Sequence, residues 1–134
     1  MPHEGVSHIA WQVGHLAFAQ YGLALKRIRG KRTDDAQLLP AEFVENFGRG
    51  SAPVSDVKTY PAVEEIRHVF DRMHRQVLEE IAALPDEVLD EPILDPHPRF
   101  STKAGSLIWC AEHELVHAGQ IGLLRRLLGQ QPLW

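Results

Sequence analysis

Three long stretches of the chain carry hydrophobic residues at helical spacing, and no stretch alternates in the way a β-strand does. Between about residues 61 and 84, apolar side chains recur every three or four positions, and charged residues occupy the other side. This pattern predicts an amphipathic helix that buries one face. The apolar face consists of Val63, Ile66, Val69, Phe70, Met73, Val77, Ile81 and Leu84.

The first predicted helix runs from about Gly5 to Arg29 and is apolar around most of its circumference. Ser7 is the expected N-cap, and Gly30 follows at a position where helices commonly stop. A helix that is hydrophobic on nearly all sides has to be covered on several of them.

The third predicted helix runs from about Thr102 to Leu128, with Ser101 or Thr102 as its N-cap and Gly129 at its end. A short helix is expected around residues 41–47, and the remaining connections are rich in Gly, Ser and Pro. Long helices joined by irregular connections predict an all-α bundle.

Composition limits the size and the setting of this bundle. A chain of 134 residues with 44% hydrophobic residues predicts one domain, residues 1–134. The net charge of −4 and the scattered Lys and Arg residues argue against nucleic acid as a partner. A single cysteine excludes an internal disulfide, and we find neither a signal peptide nor a membrane span. We therefore expect a cytoplasmic protein without a membrane partner.

The most specific local motif is His113-Glu114-Leu115-Val116-His117, which matches the H-E-x-x-H of zinc proteases. On a helix the two histidines lie about 40° apart on one face, whereas Glu114 lies about 100° away. Zinc proteases take a third ligand downstream, but none of residues 118–134 is Asp, Glu or His. The sequence therefore predicts that this chain is not a protease of that class.

A third histidine, His15, lies inside the apolar first helix. Burying an imidazole there is costly unless a hydrogen bond or a metal satisfies its ring nitrogens. Two interpretations stay open: a core histidine bonded to a backbone carbonyl, or a ligand that joins His113 and His117. Three neutral imidazoles would leave coordination positions free for water or substrate, as catalytic metal sites do.

The motif W-x-x-G-H-L, from Trp11 to Leu16, together with H-E-x-x-H-x-G-Q-I-x-x-L-R-R, from His113 to Arg126, resembles the DinB-like superfamily of YfiT-type metal-binding bundles. The resemblance extends from Ser7 to Gly129. It implies a four-helix bundle with up-down-down-up connections. It also implies a divalent metal, zinc or nickel, held by His15, His113 and His117.

The resemblance further implies a homodimer and the transfer of small thiols onto electrophiles. Members of the superfamily usually have a further helix ahead of W-x-x-G-H-L. We therefore expect that the first helix is missing from this start or is supplied by a partner chain. The functional hypothesis is a metal-dependent small-thiol S-transferase or related hydrolase. The alternative is a non-catalytic metal-binding or dimerising bundle with a vestigial site.

Four further residues are candidates for the site, each with an ordinary structural role as its alternative. Gln120 lies one turn beyond His117 and either bonds a metal ligand or packs. Trp11 either walls the pocket or belongs to the core. Glu114 is a candidate general base or a partner for a ligand ring, and Cys110 a candidate ligand or a small buried residue. No catalytic residue is assigned.

Overall fold

The computed structural model describes residues 6–132. Helix α1 is continuous through three segments: Ile9–Gln20, a π-helical stretch Tyr21–Lys26, and Arg27–Arg29. The other helices are α2 (Asp35–Leu38), α3 (Ala41–Phe47), α4 (Val63–Ala82) and α5 (Lys103–Leu127). Two 3₁₀ turns, Val57–Thr59 and Asp86–Asp90, lie in the connections.

The predicted all-α bundle is confirmed. The three long helices lie where the hydrophobic pattern places them, and the short helix at residues 41–47 is also present. Within residues 6–132, extended pairing is limited to a single antiparallel bridge between Pro92 and Thr102. The predicted helix start at Gly5 lies outside the described residues. A further helix ahead of Ser7 remains a prediction, as does the homodimer.

The helix ends follow local hydrogen bonding. Nδ1 of His8 accepts a hydrogen bond from the Trp11 amide at 3.1 Å, so His8 is the N-cap of α1 and the prediction of Ser7 was wrong. Gly30 stops α1 with a φ of 85°, a conformation that favours glycine. Thr102 caps α5 by accepting from the amide of Gly105, as predicted.

Helix α1 is the centre of the bundle and packs against α3, α4 and α5. This arrangement explains why its sequence is apolar on nearly all sides. The predicted stripe of α4 faces the core only in part, because Val63 at its start remains exposed. The largest fully buried hydrophobic side chains are Leu25, Phe43, Phe47, Ile66 and Met73.

The π-helical stretch of α1 helps to attach α5. A π-helix disturbs the regular pattern of backbone hydrogen bonds, so its carbonyls can accept from other groups. The carbonyl of Leu23 accepts a hydrogen bond from the Ser106 hydroxyl of α5 at 2.6 Å. The carbonyl of Gly22 accepts from the Arg27 side chain at 2.9 Å. The Ser106 bond fixes α5 against α1 about two turns before His113.

The outer side of α5 remains uncovered in the part of the chain that the structure describes. Helices α4 and α5 make few contacts with each other, and an apolar groove of about 480 Å³ separates them above Leu16. Phe70 lines the α4 side, and Leu115, which is 72% exposed, lines the α5 side. No helix within residues 6–132 has the length and apolar character needed to cross a bilayer.

Candidate metal centre

Three histidines from two helices meet between α1 and α5. His15, His113 and His117 each offer one ring nitrogen, and these nitrogens all lie within 4.8 Å of one another. The ring centroid of His15 lies 5.3 Å from that of His113 and 5.2 Å from that of His117, and the centroids of His113 and His117 are 4.6 Å apart. The sequence pattern suggested this grouping, and the packing of α1 on α5 brings it about.

The ring of His15 is oriented by the end of α3. Its Nδ1 lies 2.8 Å from the carbonyl oxygen of Phe47. A carbonyl can only accept, so this Nδ1 must carry the proton, and the lone pair of the neutral ring is then on Nε2. Trp11 stacks on the His15 ring: the two ring centroids are 4.8 Å apart and the rings are tilted by only 7°. The indole N–H of Trp11 donates to the Asn46 carbonyl.

The ring of His117 is oriented by a side chain of α1. Its Nδ1 lies 3.1 Å from Oε1 of Gln12, and the Gln12 amide nitrogen donates to the Ser7 carbonyl at 3.5 Å. The Ser7 bond orients the amide so that its oxygen faces the histidine. His117 therefore also carries its proton on Nδ1 and has its lone pair on Nε2.

His113 differs from the other two because, within residues 6–132, its buried Nδ1 has no hydrogen-bond partner. A buried ring nitrogen without a partner is costly, and such groups often mark functional sites. Burial, with a smaller contribution from His15, lowers the pKa of His113. Burial, with repulsion from His113 and His15, lowers the pKa of His117 to about 4.

These features fit a divalent metal. A ligand imidazole must be neutral, and the lowered pKa values keep His113 and His117 neutral at physiological pH. Metal-bound histidines usually donate their second ring nitrogen to a carbonyl or another acceptor, as His15 and His117 do here. The three side chains therefore have both the charge state and the supporting contacts of a metal site.

The other predicted site residues lie around this cluster rather than in it. Glu114 accepts a hydrogen bond from the Gln20 amide at 2.7 Å. Cys110 is buried, and burial, with the nearby Glu114 carboxylate, raises the pKa of its thiol to about 12. Gln120 is exposed on α5, and no hydrogen bond of its side chain is seen among the described residues.

Gln20 also joins Glu114 to α4, because its amide lies 3.2 Å from Nδ1 of His74. Sequence analysis alone places His74 on the charged side of α4, but the structure shows it half-buried and stacked on Phe70. Glu114, the glutamate of the H-E-x-x-H motif, thus takes part in a polar contact between helices.

Two groups that support the site are not evident from the motif. The Phe47 carbonyl belongs to the backbone and leaves no sequence signal. Gln12 does leave one, since it is a polar residue within the apolar run of α1 and lies three positions before His15. It is 1% exposed, and a buried amide of this kind requires hydrogen-bond partners.

One of three comparisons with known proteins gave a match. Neither the search of curated proteins nor the search of solved structures gave a match. The family model described as DinB superfamily matches residues 1–121, a range that includes all three histidines of the cluster. The chain belongs to the DinB superfamily.

Proposed function

We propose that this protein is a zinc- or nickel-dependent enzyme that transfers a small thiol to an electrophile, or a related hydrolase. The observation that carries the proposal is the meeting of His15, His113 and His117, two of which present Nε2 lone pairs because their Nδ1 atoms are engaged. Imidazole suits both zinc and nickel. Three protein ligands leave room for a substrate at the metal.

A divalent metal bound there would supply Lewis acidity, which lowers the pKa of a thiol or a water molecule. The protein residues have separate roles. His15, His113 and His117 hold the ion, and the Phe47 carbonyl and Gln12 fix two of the rings. Trp11 lies flat against His15, where it shields one side of the site from water.

One observation favours the non-catalytic alternative. Glu114 and Cys110 are the candidate base and nucleophile, but Glu114 is bonded to Gln20 and the Cys110 thiol is buried with a raised pKa. Neither group is part of the histidine cluster. A bundle that binds metal for stability alone would need neither group.

Metal content measured by mass spectrometry tests the site itself. We expect about one zinc or nickel ion per chain in the untagged wild type, and loss of the ion in His15→Ala and in His113→Ala. His68→Ala removes an exposed histidine of α4 and serves as the control. A wild type that takes up no metal after reconstitution would overturn the proposal, as would tight binding in both variants.

A thiol titration separates the enzyme from the non-catalytic bundle. In the cobalt-substituted protein, a substrate thiol should change the visible spectrum because it enters the ion's coordination sphere. A small-thiol panel that leaves the spectrum unchanged would favour the non-catalytic alternative.

A further inference from the structure

An aromatic wall extends the histidine cluster along α5. The half-buried ring of Trp109 lies 6.4 Å from that of His113, one turn away on the same helix. Beyond it lies the loop that precedes α5, in which His97 stacks on Phe100 at 4.1 Å and lies 6.5 Å from Trp109. This wall leads from the metal ligands to the protein surface.

A guanidinium lies on this wall. Cζ of Arg99 is 4.5 Å from the centroid of the Trp109 ring, within the range of a cation–π contact. Arg99 is otherwise exposed, and it has no carboxylate partner among the described residues. Contact with the indole limits the freedom of the side chain, so its charge stays near the cluster.

A second arginine, Arg49, lies just beyond the end of α3. Arg49 follows two residues after Phe47, whose carbonyl orients His15. The pKa of His97 in this loop is lowered by burial and then by the positive charges of Arg27, Arg49 and Arg99. Arg27 pairs with Asp95 at 3.6 Å, a carboxylate that Lys26 also contacts at 3.2 Å, whereas no carboxylate of the described chain pairs with Arg49.

The local charge is therefore opposite to that of the whole chain, which is −4. Two uncompensated guanidinium groups beside an open metal site attract anions and raise their local concentration. Guanidinium also binds carboxylate and phosphate oxygens in pairs, which fixes the orientation of a ligand.

We propose that Arg49 and Arg99 form an anion-binding rim beside the histidine cluster, and that the substrate is a small organic anion. This inference rests on the proposed function, because the rim selects the molecule that the metal site would act on. The anionic group binds the two arginines while the reacting thiol, at the other end of the same molecule, reaches the histidines. Carboxylate and phosphate share this chemistry.

Three thiols that differ in charge test the rim: 3-mercaptopropionate, 2-mercaptoethanol and cysteamine. Their dissociation constants are measured from the visible spectrum of the cobalt-substituted protein at one pH. We expect 3-mercaptopropionate to bind about tenfold more tightly than 2-mercaptoethanol, and cysteamine to bind most weakly. Differences in thiol acidity alone would give the opposite order, because an ammonium group lowers the pKa of a neighbouring thiol and a carboxylate raises it.

The order should disappear in the Arg49→Ala/Arg99→Ala double variant and persist in Arg67→Ala, which removes an exposed arginine of α4. Competition by inorganic phosphate against acetate then shows which anion the rim prefers. Equal binding of the three thiols, or an order unchanged in the double variant, would overturn the rim and leave the thiol chemistry in place.

A second measurement does not depend on the metal or on thiol binding. Metal-free protein is labelled with phenylglyoxal, and modification of each arginine is read by peptide mass spectrometry with and without inorganic phosphate. Phosphate should slow the modification of Arg49 and Arg99 but not that of Arg67. If no thiol binds, the proposed function fails, and the rim is judged by this protection alone. Equal rates with and without phosphate at both arginines would overturn it.

Discussion

The side-chain oxygen of Gln12 lies 3.1 Å from Nδ1 of His117 and links α1 to α5 at the histidine cluster. Both side chains are buried, so the contact is shielded from solvent. Because Gln12 also bonds the Ser7 carbonyl, its amide has one preferred orientation, in which the oxygen accepts from His117. This contact holds the imidazole in the tautomer that has its proton on Nδ1 and leaves Nε2 free to bind a metal.

Replacing Gln12 should therefore weaken metal binding without removing a ligand. We expect Gln12→Ala to lower metal affinity about 10- to 100-fold, the usual effect of losing a group that orients a ligand. Competition with a chromophoric chelator measures the change. Gln120→Ala is the informative comparison, because Gln120 is exposed one turn beyond His117. A larger loss in Gln120→Ala than in Gln12→Ala would show that the orienting group has been misassigned.

Gly14 should tolerate no side chain. A Cβ at this position would lie 2.6 Å from the ring of Phe47, which is fully buried and cannot easily move. We expect Gly14→Ala to reduce the free energy of unfolding by about 1–3 kcal/mol through overpacking. Metal affinity should fall as well, because Phe47 carries the carbonyl that orients His15. Urea denaturation and the chelator assay measure the two effects.

Gly119→Ala is the matched control, since a Cβ at that position of α5 would meet nothing within 4 Å. In a helix interior, alanine is favoured over glycine by about 1 kcal/mol, so this variant should be as stable as the wild type or more so. Equal stability of Gly14→Ala and Gly119→Ala would contradict the close approach of α1 to Phe47.

The stability of the metal-free protein should depend on pH through His117. Its pKa falls from 6.5 in the unfolded chain to about 4 in the folded one, because burial and the two other histidines disfavour its charge. The unfolded state therefore binds more protons between these values, so the free energy of unfolding falls as the pH drops from 6.5 towards 4. Denaturant titrations at a series of pH values should show a smaller decrease in His117→Gln. Parallel curves for the variant and the wild type would rule this contribution out.

A buried ion network should support the far end of α1. Arg29 contacts Asp35 at 2.8 Å and Glu80 at 2.6 Å, and its side chain is 11% exposed. Removing one partner of a buried pair leaves charge uncompensated, so Arg29→Met should cost about 3–5 kcal/mol of stability. Denaturation monitored by circular dichroism gives the value. Arg67→Met, at an exposed site, should change stability by no more than about 0.5 kcal/mol, and a similar cost in both variants would argue against a special role for the network.

The sequence by itself predicted the helices and named the three histidines that meet in the structure. Apolar spacing placed the three long helices to within a few residues, because that spacing reflects which side of a helix avoids water. His113 and His117 share a face by helical geometry alone, and Gly30 and Thr102 marked helix ends through local backbone chemistry.

Contacts between distant segments were decided only by the tertiary structure. The Phe47 carbonyl and His15 are 32 positions apart in the sequence, and Gln12 and His117 are 105 apart. No periodic pattern carries information over such sequence separations. The exposure of one side of α5 was likewise decided by how the helices pack. The placement of Arg99 on Trp109 likewise follows from how the loop before α5 packs. Side-chain orientation at the site depends on this packing, because each ring is fixed by a partner from another helix or loop.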